Sequence, residues 1–520
     1  MQRTTEDKQN QACGGKLFHF RPVLFLALFF AYGIFCAFLH KVKDLSWTAL
    51  LAPIFAVCVL LLSKERKAFL LKFGALLLSF SLGTVALTVQ TERYLSGEYV
   101  QGEQAFFATV AEREEDEKAV VLTLKNLRTM EECWDGKLYL LTEKSAVGDV
   151  QVGNEVYVKA YVYPVADKSV KNFLFGSVAE DMRYTALFVS QFSVTDKNSD
   201  FFSSIRKNMR DVLYGGMVET AASVCYALLT GRTYGVDDGL LDNFRAGGIA
   251  HLFAVSGLHI GALYAFCMML MDKTALKKLP RAGRFCLVLA TLLFYGGVCG
   301  FSPSVVRAVT VCMVLYAAKI VGVKSDGLER TGFAMFLVLA LNPATLFTAG
   351  FLLSFAACYG IFCLGPRFRV LFRKLFAFLG EGGKGIASFL SVTLSAQLFT
   401  IPVSLFFFRY LSVWSLLLNC LFVPLVGGVF SVLLATTFVC CLLPSGISSF
   451  IMWFPGTLCS AVLFFFETLD FTFVLTNLRL KWTGNLLWYT LCALISGKIC
   501  LKRAKIEAVE AEIGENGKTA

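Results

Sequence analysis

His251 and His259 flank a Ser256-Gly257 pair inside an otherwise apolar stretch, and few other side chains in the sequence have comparable chemical capacity. An imidazole near a serine hydroxyl suggests a nucleophile and its base. Position 254 is Ala, however, so no G-x-S-G element forms, and no histidine lies on a different core span to act as base. An intramembrane serine hydrolase is therefore disfavoured. The other chemistry open to these groups is to line a wet path, because polar and titratable side chains at membrane depth face a bundle interior or an aqueous cavity. On one continuous helix the two histidines would lie about 80° apart, so both would border one cavity. Gly248, Gly257 and Gly261 would admit a second backbone closely. The competing reading is a pair of interfacial histidines beside a small-residue packing face.

Arg307 follows Pro303 near the start of an apolar run, where free backbone donors favour anions. Snorkelling to the surface or pairing with an internal acid is the alternative. Ser304, Ser354, Gln397 and Asn419 are uncharged polar groups in apolar segments, suited either to line a lumen or to hydrogen-bond between helices. Glu467 and Asp470, near a span end, read as interfacial. No catalytic residue, metal site or cofactor is expected. There are only four histidines and no CxxC pair, and most of the 17 cysteines sit in apolar segments as small hydrophobes. Gly514–Thr519 approaches a phosphate-binding loop, but Glu512 occupies the place of its first glycine. No motor is encoded there.

The elements that must position these residues follow from composition. The chain of 520 residues is 56% hydrophobic and 17% charged, with mean hydropathy +0.63. A water-soluble globule, a disordered chain and a disulfide-stapled module are excluded. Apolar runs fall near 22–39, 46–63, 68–90, 248–271, 285–301, 303–322, 332–348, 349–366, 385–408, 411–443, 447–469 and 484–500. The expected fold class is thus a polytopic α-helical membrane protein of about 12 spans. Pro424, Gly427 and Gly428 interrupt the run at 411–443, which reads as a broken or re-entrant helix. Phe20–Leu39 reads as a retained membrane helix rather than a cleaved signal.

The net charge of +11 divides unevenly. Residues 92–200 hold 19 acidic and 12 basic residues, a net of −7, and the remainder carries +18. Five β-rich runs lie in that acidic region, at Phe106–Ala111, Ala119–Leu127, Lys137–Leu141, Glu155–Tyr163 and Thr185–Val194. They suit a small barrel of the OB type, with a docking or lid role at least as well supported as nucleic-acid binding. The basic clusters are Arg3/Lys8/Lys16/Arg21, Lys64/Arg66/Lys67/Lys72, Lys273/Lys277/Lys278/Arg281/Arg284, Arg367/Arg369/Arg373/Lys374/Lys384 and Lys498/Lys502/Arg503/Lys505. Counting crossings puts all of them on the cytoplasmic side with both termini, and puts the barrel outside. The expected organisation is 1–91 membrane helices, 92–200 extracytoplasmic OB-like domain, 201–247 an amphipathic helix (Asp211–Leu229) and connection, 248–500 a membrane domain, and 501–520 a tail.

Residues 248–260, GIAHLFAVSGLHI, resemble the signature of the ComEC family of competence proteins. The resemblance continues in order through Pro303-Ser304-Val305-Val306-Arg307-Ala308, Asn342-Pro343, Gly350–Ala356, Ala396-Gln397…Thr400…Pro402 and Leu418-Asn419…Pro424. It departs at Leu352, where the family usually has glutamine. The resemblance implies a channel in the bacterial cytoplasmic membrane that carries single-stranded DNA inward during natural transformation. His251, Ser256, Gly257, His259, Ser304, Arg307, Ser354, Gln397 and Asn419 are then candidates to line the DNA path. It also implies an external DNA receptor or pilus and a cytoplasmic ATPase motor as partners, besides membrane lipid. Many members add a zinc-dependent nuclease-like domain. No histidine follows His259 here, so that activity is expected to be absent or supplied by a separate nuclease. A homo-oligomer and, as a rival function, a secondary transporter of a small solute both stay open.

Overall fold

The computed structural model describes residues 21–467 except 44–48, 50, 63–68, 97–98, 116–118, 130–131, 148–149, 151, 166–173, 197–200, 234, 254, 256, 302, 323–326 and 413, together with 474–476 and 488. The expected last span and the C-terminal tail fall almost wholly outside these residues.

Three apolar helices open the described chain, α1 (Pro22–Lys43), α2 (Leu51–Leu62) and α3 (Phe69–Leu95). The Ser79 hydroxyl ties α3 to the Leu26 carbonyl of α1 at 2.8 Å, and Phe29, Ala56, Leu60 and Leu76 fill the space between the three. Five long strands follow, β1 (Gly102–Glu115), β2 (Ala119–Arg128), β3 (Lys137–Glu143), β4 (Glu155–Pro164) and β5 (Met182–Asp196), with a two-residue strand, Cys133–Trp134, on the edge of β2. β1 pairs antiparallel with β2 and β4, β2 with β3, and β4 with β5, while β3 and β5 run parallel. This closes a five-stranded barrel with OB topology, as the sequence leads one to expect. Period-two alternation builds it: Val156, Val158, Ala160 and Val162 all point into the core with Leu122, Leu124, Leu138 and Leu140. Two register shifts in β1 bend that strand around the barrel.

The β4–β5 connection carries α4 (Leu174–Glu180), which docks on the helical part. Asn342 is the joint: its amide donates to the Ala179 carbonyl at 2.8 Å and accepts from Gln90 of α3 at 2.8 Å. Gln90 in turn accepts from the Ala344 N–H at 3.0 Å. The Tyr94 hydroxyl reaches the Met182 carbonyl, with Arg183 stacked 5.7 Å over the Tyr94 ring.

After the barrel come α5 (Phe201–Gly216), α6 (Glu219–Thr230) and α7 (Asp238–Ala246). The single amphipathic helix expected over Asp211–Leu229 is thus two helices, because Val218 turns to an extended conformation (φ −64, ψ 143) between them. Nine residues of α6 are buried. Arg206 of α5 donates to the last carbonyls of the helix Arg281–Val298, Gly297 and Val298, at 3.3 Å each. The remaining helices are α8 (Gly257–Lys273), α9 (Arg281–Val298), α10 (Pro303–Val321), α11 (Gly327–Leu341), α12 (Ala349–Leu375), α13 (Gly380–Phe407), α14 (Ser415–Cys440) and α15 (Ser445–Glu467). The short strand β6 (Tyr410–Ser412) pairs antiparallel with β7 (Val474–Thr476).

Among the described residues seven helices are long and apolar enough to cross a membrane. The protein is therefore a membrane protein with an inserted OB-like barrel. The break expected within 411–443 is not present: α14 runs unbroken from Ser415 to Cys440. A proline removes one backbone donor and adds one local clash, which a long helix packed among neighbours absorbs.

Candidate functional site

The signature segment enters through α7, whose first turn is capped by the Asp237 carboxylate on the Leu240 N–H at 3.0 Å. At Gly248 the backbone adopts φ +73, and a Cβ there would lie 2.7 Å from that of Ser415 and 3.0 Å from that of Ser412. Only glycine satisfies both the left-handed turn and the close approach. A 3-10 turn over Ala250–Leu252 follows, and α8 begins at Gly257. His251 and His259 therefore do not share a helix, and the 80° relation expected from one does not hold. The physical cause is the turn at Gly248 and the tight winding after it, which an apolar run conceals.

His251 lies on the 3-10 turn, exposed, with its ring by the Gly248 backbone. His259 is buried in α8, edge-on to the Phe430 ring of α14 at 4.5 Å between centroids. The two imidazoles are close enough to act on one another electrostatically. Gly257 is exposed at the first position of α8, and Ser256 lies outside the described residues.

Ser304, in the first turn of α10, donates to the Val255 carbonyl at 2.9 Å and so fixes the segment from its other end. One turn further, Arg307 is buried. Its Nη2 donates to the Gly350 carbonyl in the first turn of α12 at 2.9 Å, and its Nε has no partner among the described residues. A Cβ on Gly350 would stand 3.2 Å from that Nη2, so glycine lets the guanidinium lie against the helix. No ion pair among the described residues includes Arg307. A guanidinium has five N–H donors, and a buried charge without a counter-ion costs several kcal/mol. The expected alternative of an internal acid is not realised among the described residues.

Gln397 of α13 and Asn419 of α14 meet at a residue the sequence did not single out. Both amides donate to the Ser415 hydroxyl, at 2.8 and 3.1 Å. Ser412 is buried beside them. Ser412 and Ser415 carry no periodic signal in an apolar region; the only clue was that Ser415 stands one helical turn before Asn419. The structure thus forms two polar groups, Ser304 with Arg307 and Gly350, and Gln397 with Ser412, Ser415 and Asn419. The 248–255 segment bridges them. Ser354 stays apart, exposed on α12.

Both groups lie at the barrel end of the bundle. The 3-10 turn Pro343–Phe347, held to α3 through Ala344 and Gln90 and, through the preceding Asn342, to Ala179 in the β4–β5 connection of the barrel, leads directly into α12. α12 meets α10 at Gly350, α10 meets the start of α8 at Val255, and α14 starts beside Gly248. Four helices therefore present their N-termini, and the positive ends of their dipoles, toward one level.

The fold and this seam define a multi-spanning membrane protein that carries an inserted OB-like barrel at one end and a polar, cation-bearing junction beneath it. The chain belongs to the competence-protein family, whose model, described as Competence protein, matches residues 228–503. ComE operon protein 3 of Bacillus subtilis (strain 168) is 29% identical over 221 residues, 42% of this chain and 27% of that protein. The match therefore spans about a quarter of that relative's length. No solved structure matches the chain.

Proposed function

We infer that the chain is a conduit for DNA uptake, passing a single strand across the cytoplasmic membrane from the barrel end inward. Arg307 carries the reading: a buried cation, with one backbone acceptor and no carboxylate partner among the described residues, at the junction of three helix starts. Each nucleotide brings one negative phosphate, which hydrocarbon rejects unless a fixed cation, dipole or donor replaces its water. Family membership and the relative's printed name support competence as the setting. An external receptor or pilus would deliver DNA, a cytoplasmic ATPase would pull it, and a separate nuclease would make the strand single. A homo-oligomer is compatible with the same path.

The test is deletion of the gene followed by challenge with labelled duplex DNA. The expected result is normal surface-bound label and loss of nuclease-protected, internal label, restored by the intact gene. Equal internal label in the deletion strain rejects the conduit and turns attention to transport of a small solute.

A further inference from the structure

The buried cysteines differ in what they meet. The sulfurs of Cys299 and Cys440 reach backbone carbonyls, those of Leu229 and Ser448. Cys225 of α6 and Cys459 of α15 meet each other instead, and their thiols share an S–H···S hydrogen bond. Cys225 is buried and Cys459 half-buried. The contact is built by packing around it. A Cβ on Gly216, at the end of α5, would stand 2.5 Å from the Met452 Cβ, and one on Gly456 would stand 2.7 Å from the Met217 Cγ. Two glycines, one on each side, therefore seat the α5–α6 turn against α15. Gly456 and Cys459 are three residues apart and share a helix face, which carries Cys459 onto α6. Both thiols border one apolar cluster with Met209, Leu213, Ala222 and Met452. Closely packed helices, not a loop, hold the two sulfurs together.

α6 also supports the signature segment. The Leu229 carbonyl, one turn beyond Cys225, accepts from the Tyr295 hydroxyl at 2.7 Å. Gly231 ends α6 at φ +76 and makes room for Val255, because a Cβ there would lie 2.9 Å from the Val255 Cγ2. A covalent bond between Cys225 and Cys459 therefore ties α15 to the element on which Val255 rests.

We propose that Cys225 and Cys459 form a redox pair that closes to a disulfide between α6 and α15. The oxidant is a second disulfide, carried by a small thiol or a thiol oxidoreductase. Cys459, the more exposed of the two, reacts first: its thiolate attacks the oxidant, whose S–S bond breaks and releases one thiol. Cys225 then gives up its proton and attacks the Cys459 sulfur, which breaks the mixed disulfide and releases the second thiol. Two protein thiols are oxidised, one disulfide is reduced to two thiols, and the two protons pass from the protein sulfurs to the oxidant's. The bond spans a long stretch of chain, so it constrains the unfolded state strongly and leaves the packed helices where they stand.

The experiment uses the full chain in maltoside detergent, reduced and then freed of reductant, with oxidised glutathione as the probe. Samples taken at intervals are quenched in denaturant with an alkylating agent, digested and mapped by mass spectrometry. Exposed Cys133 is the internal control for oxidant access. The expected result is a peptide pair joining Cys225 to Cys459, reversed by dithiothreitol. It is expected to form about tenfold or more faster in folded protein than in protein unfolded by dodecyl sulfate, because the fold holds the two reactants in place. The linked form is expected to unfold at a higher temperature than the reduced form, and Cys225→Ala to trap the mixed disulfide of Cys459 with glutathione. Glutathione on Cys133, with Cys225 and Cys459 both recovered as alkylated thiols, overturns the pair. So does linkage at equal rates in folded and unfolded protein, or linkage of Cys459 to a different cysteine. A linked form that unfolds at or below the reduced temperature also overturns it, by showing that the bond strains the contact. The decisive map is read on the unsubstituted chain, so a misfolded Cys225→Ala leaves the test intact.

Discussion

At the residue scale, Arg307 separates function from stability. Its burial with no counter-ion among the described residues opposes folding, and its bond to Gly350 offsets only part of that cost. Arg307→Met, which fills the same space without charge, is therefore expected to unfold at the same or a higher temperature than wild type. DNA internalisation in the same variant is expected to fall tenfold or more. A side chain with a merely structural role would lose both, and wild-type internalisation would remove Arg307 from the path. Arg307 was legible in the sequence because a lone arginine behind a helix-starting proline is conspicuous in an apolar run. Its environment was not legible, because Gly350 is 43 residues away and glycine signals only that space is needed.

At the element scale, the strands were legible and the junctions were not. Alternation of period two marks β1 to β5 whatever they pack against, so the barrel followed from the residues. The breaks at Val218 and around Ala250–Leu252 occur inside segments whose apolar pattern does not change, and the run across Pro424 shows the reverse case. Docking of the barrel depends on one such junction. Asn342→Ala removes two hydrogen bonds and leaves the Gln90 amide and the Ala179 carbonyl short of a partner, a cost of about 1–3 kcal/mol. The expected outcome is faster cleavage between barrel and bundle in limited proteolysis, with the barrel itself still folded; unchanged cleavage would show that α4 packing alone holds the dock. The barrel core also fixes a pH response. Burial, the largest cause, raises the Tyr99 and Tyr184 phenols above their ordinary value of 10.0. Above about pH 10 the unfolded chain releases these protons first, so the folded form binds more protons and loses stability as pH rises. Their contribution is complete below that pH. Tyr184→Phe should flatten the fall in unfolding temperature between pH 9 and 11, and a fall as steep as wild type would assign the alkaline loss to other groups.

At the scale of the whole molecule, the charge distribution selects an orientation that the fold alone leaves undetermined. The barrel stands at one end of the bundle, where α8, α10, α12 and α14 begin. The basic residues from Lys273 to Arg284 and from Arg367 to Lys384 cluster at the far ends of α8 and α12 and the starts of α9 and α13, so they lie at the opposite end. Lysine and arginine near span ends stay on the cytoplasmic side during insertion, whereas acidic residues contribute little to that choice. The opposite end is therefore expected to face the cytoplasm, and the acidic barrel to face out. A net of −7 on the barrel then has a consequence for transport. The barrel's field repels a polyanion at long range, within a Debye length of about 8 Å at physiological salt, while the arginine and the four helix N-termini beneath it attract. A strand delivered by another component would pass from a weakly repelling rim to an attracting junction, which favours inward movement over adsorption at the rim. Alkaline phosphatase, active only outside the membrane, should be active when inserted in the barrel connection near residue 130 and inactive when inserted between α8 and α9 or near Gly382. The reverse pattern would place the barrel in the cytoplasm, and with it the positive helix ends, where they could not receive incoming DNA. Activity at all three positions would mean that the two ends do not face opposite compartments, and the conduit would lose its axis.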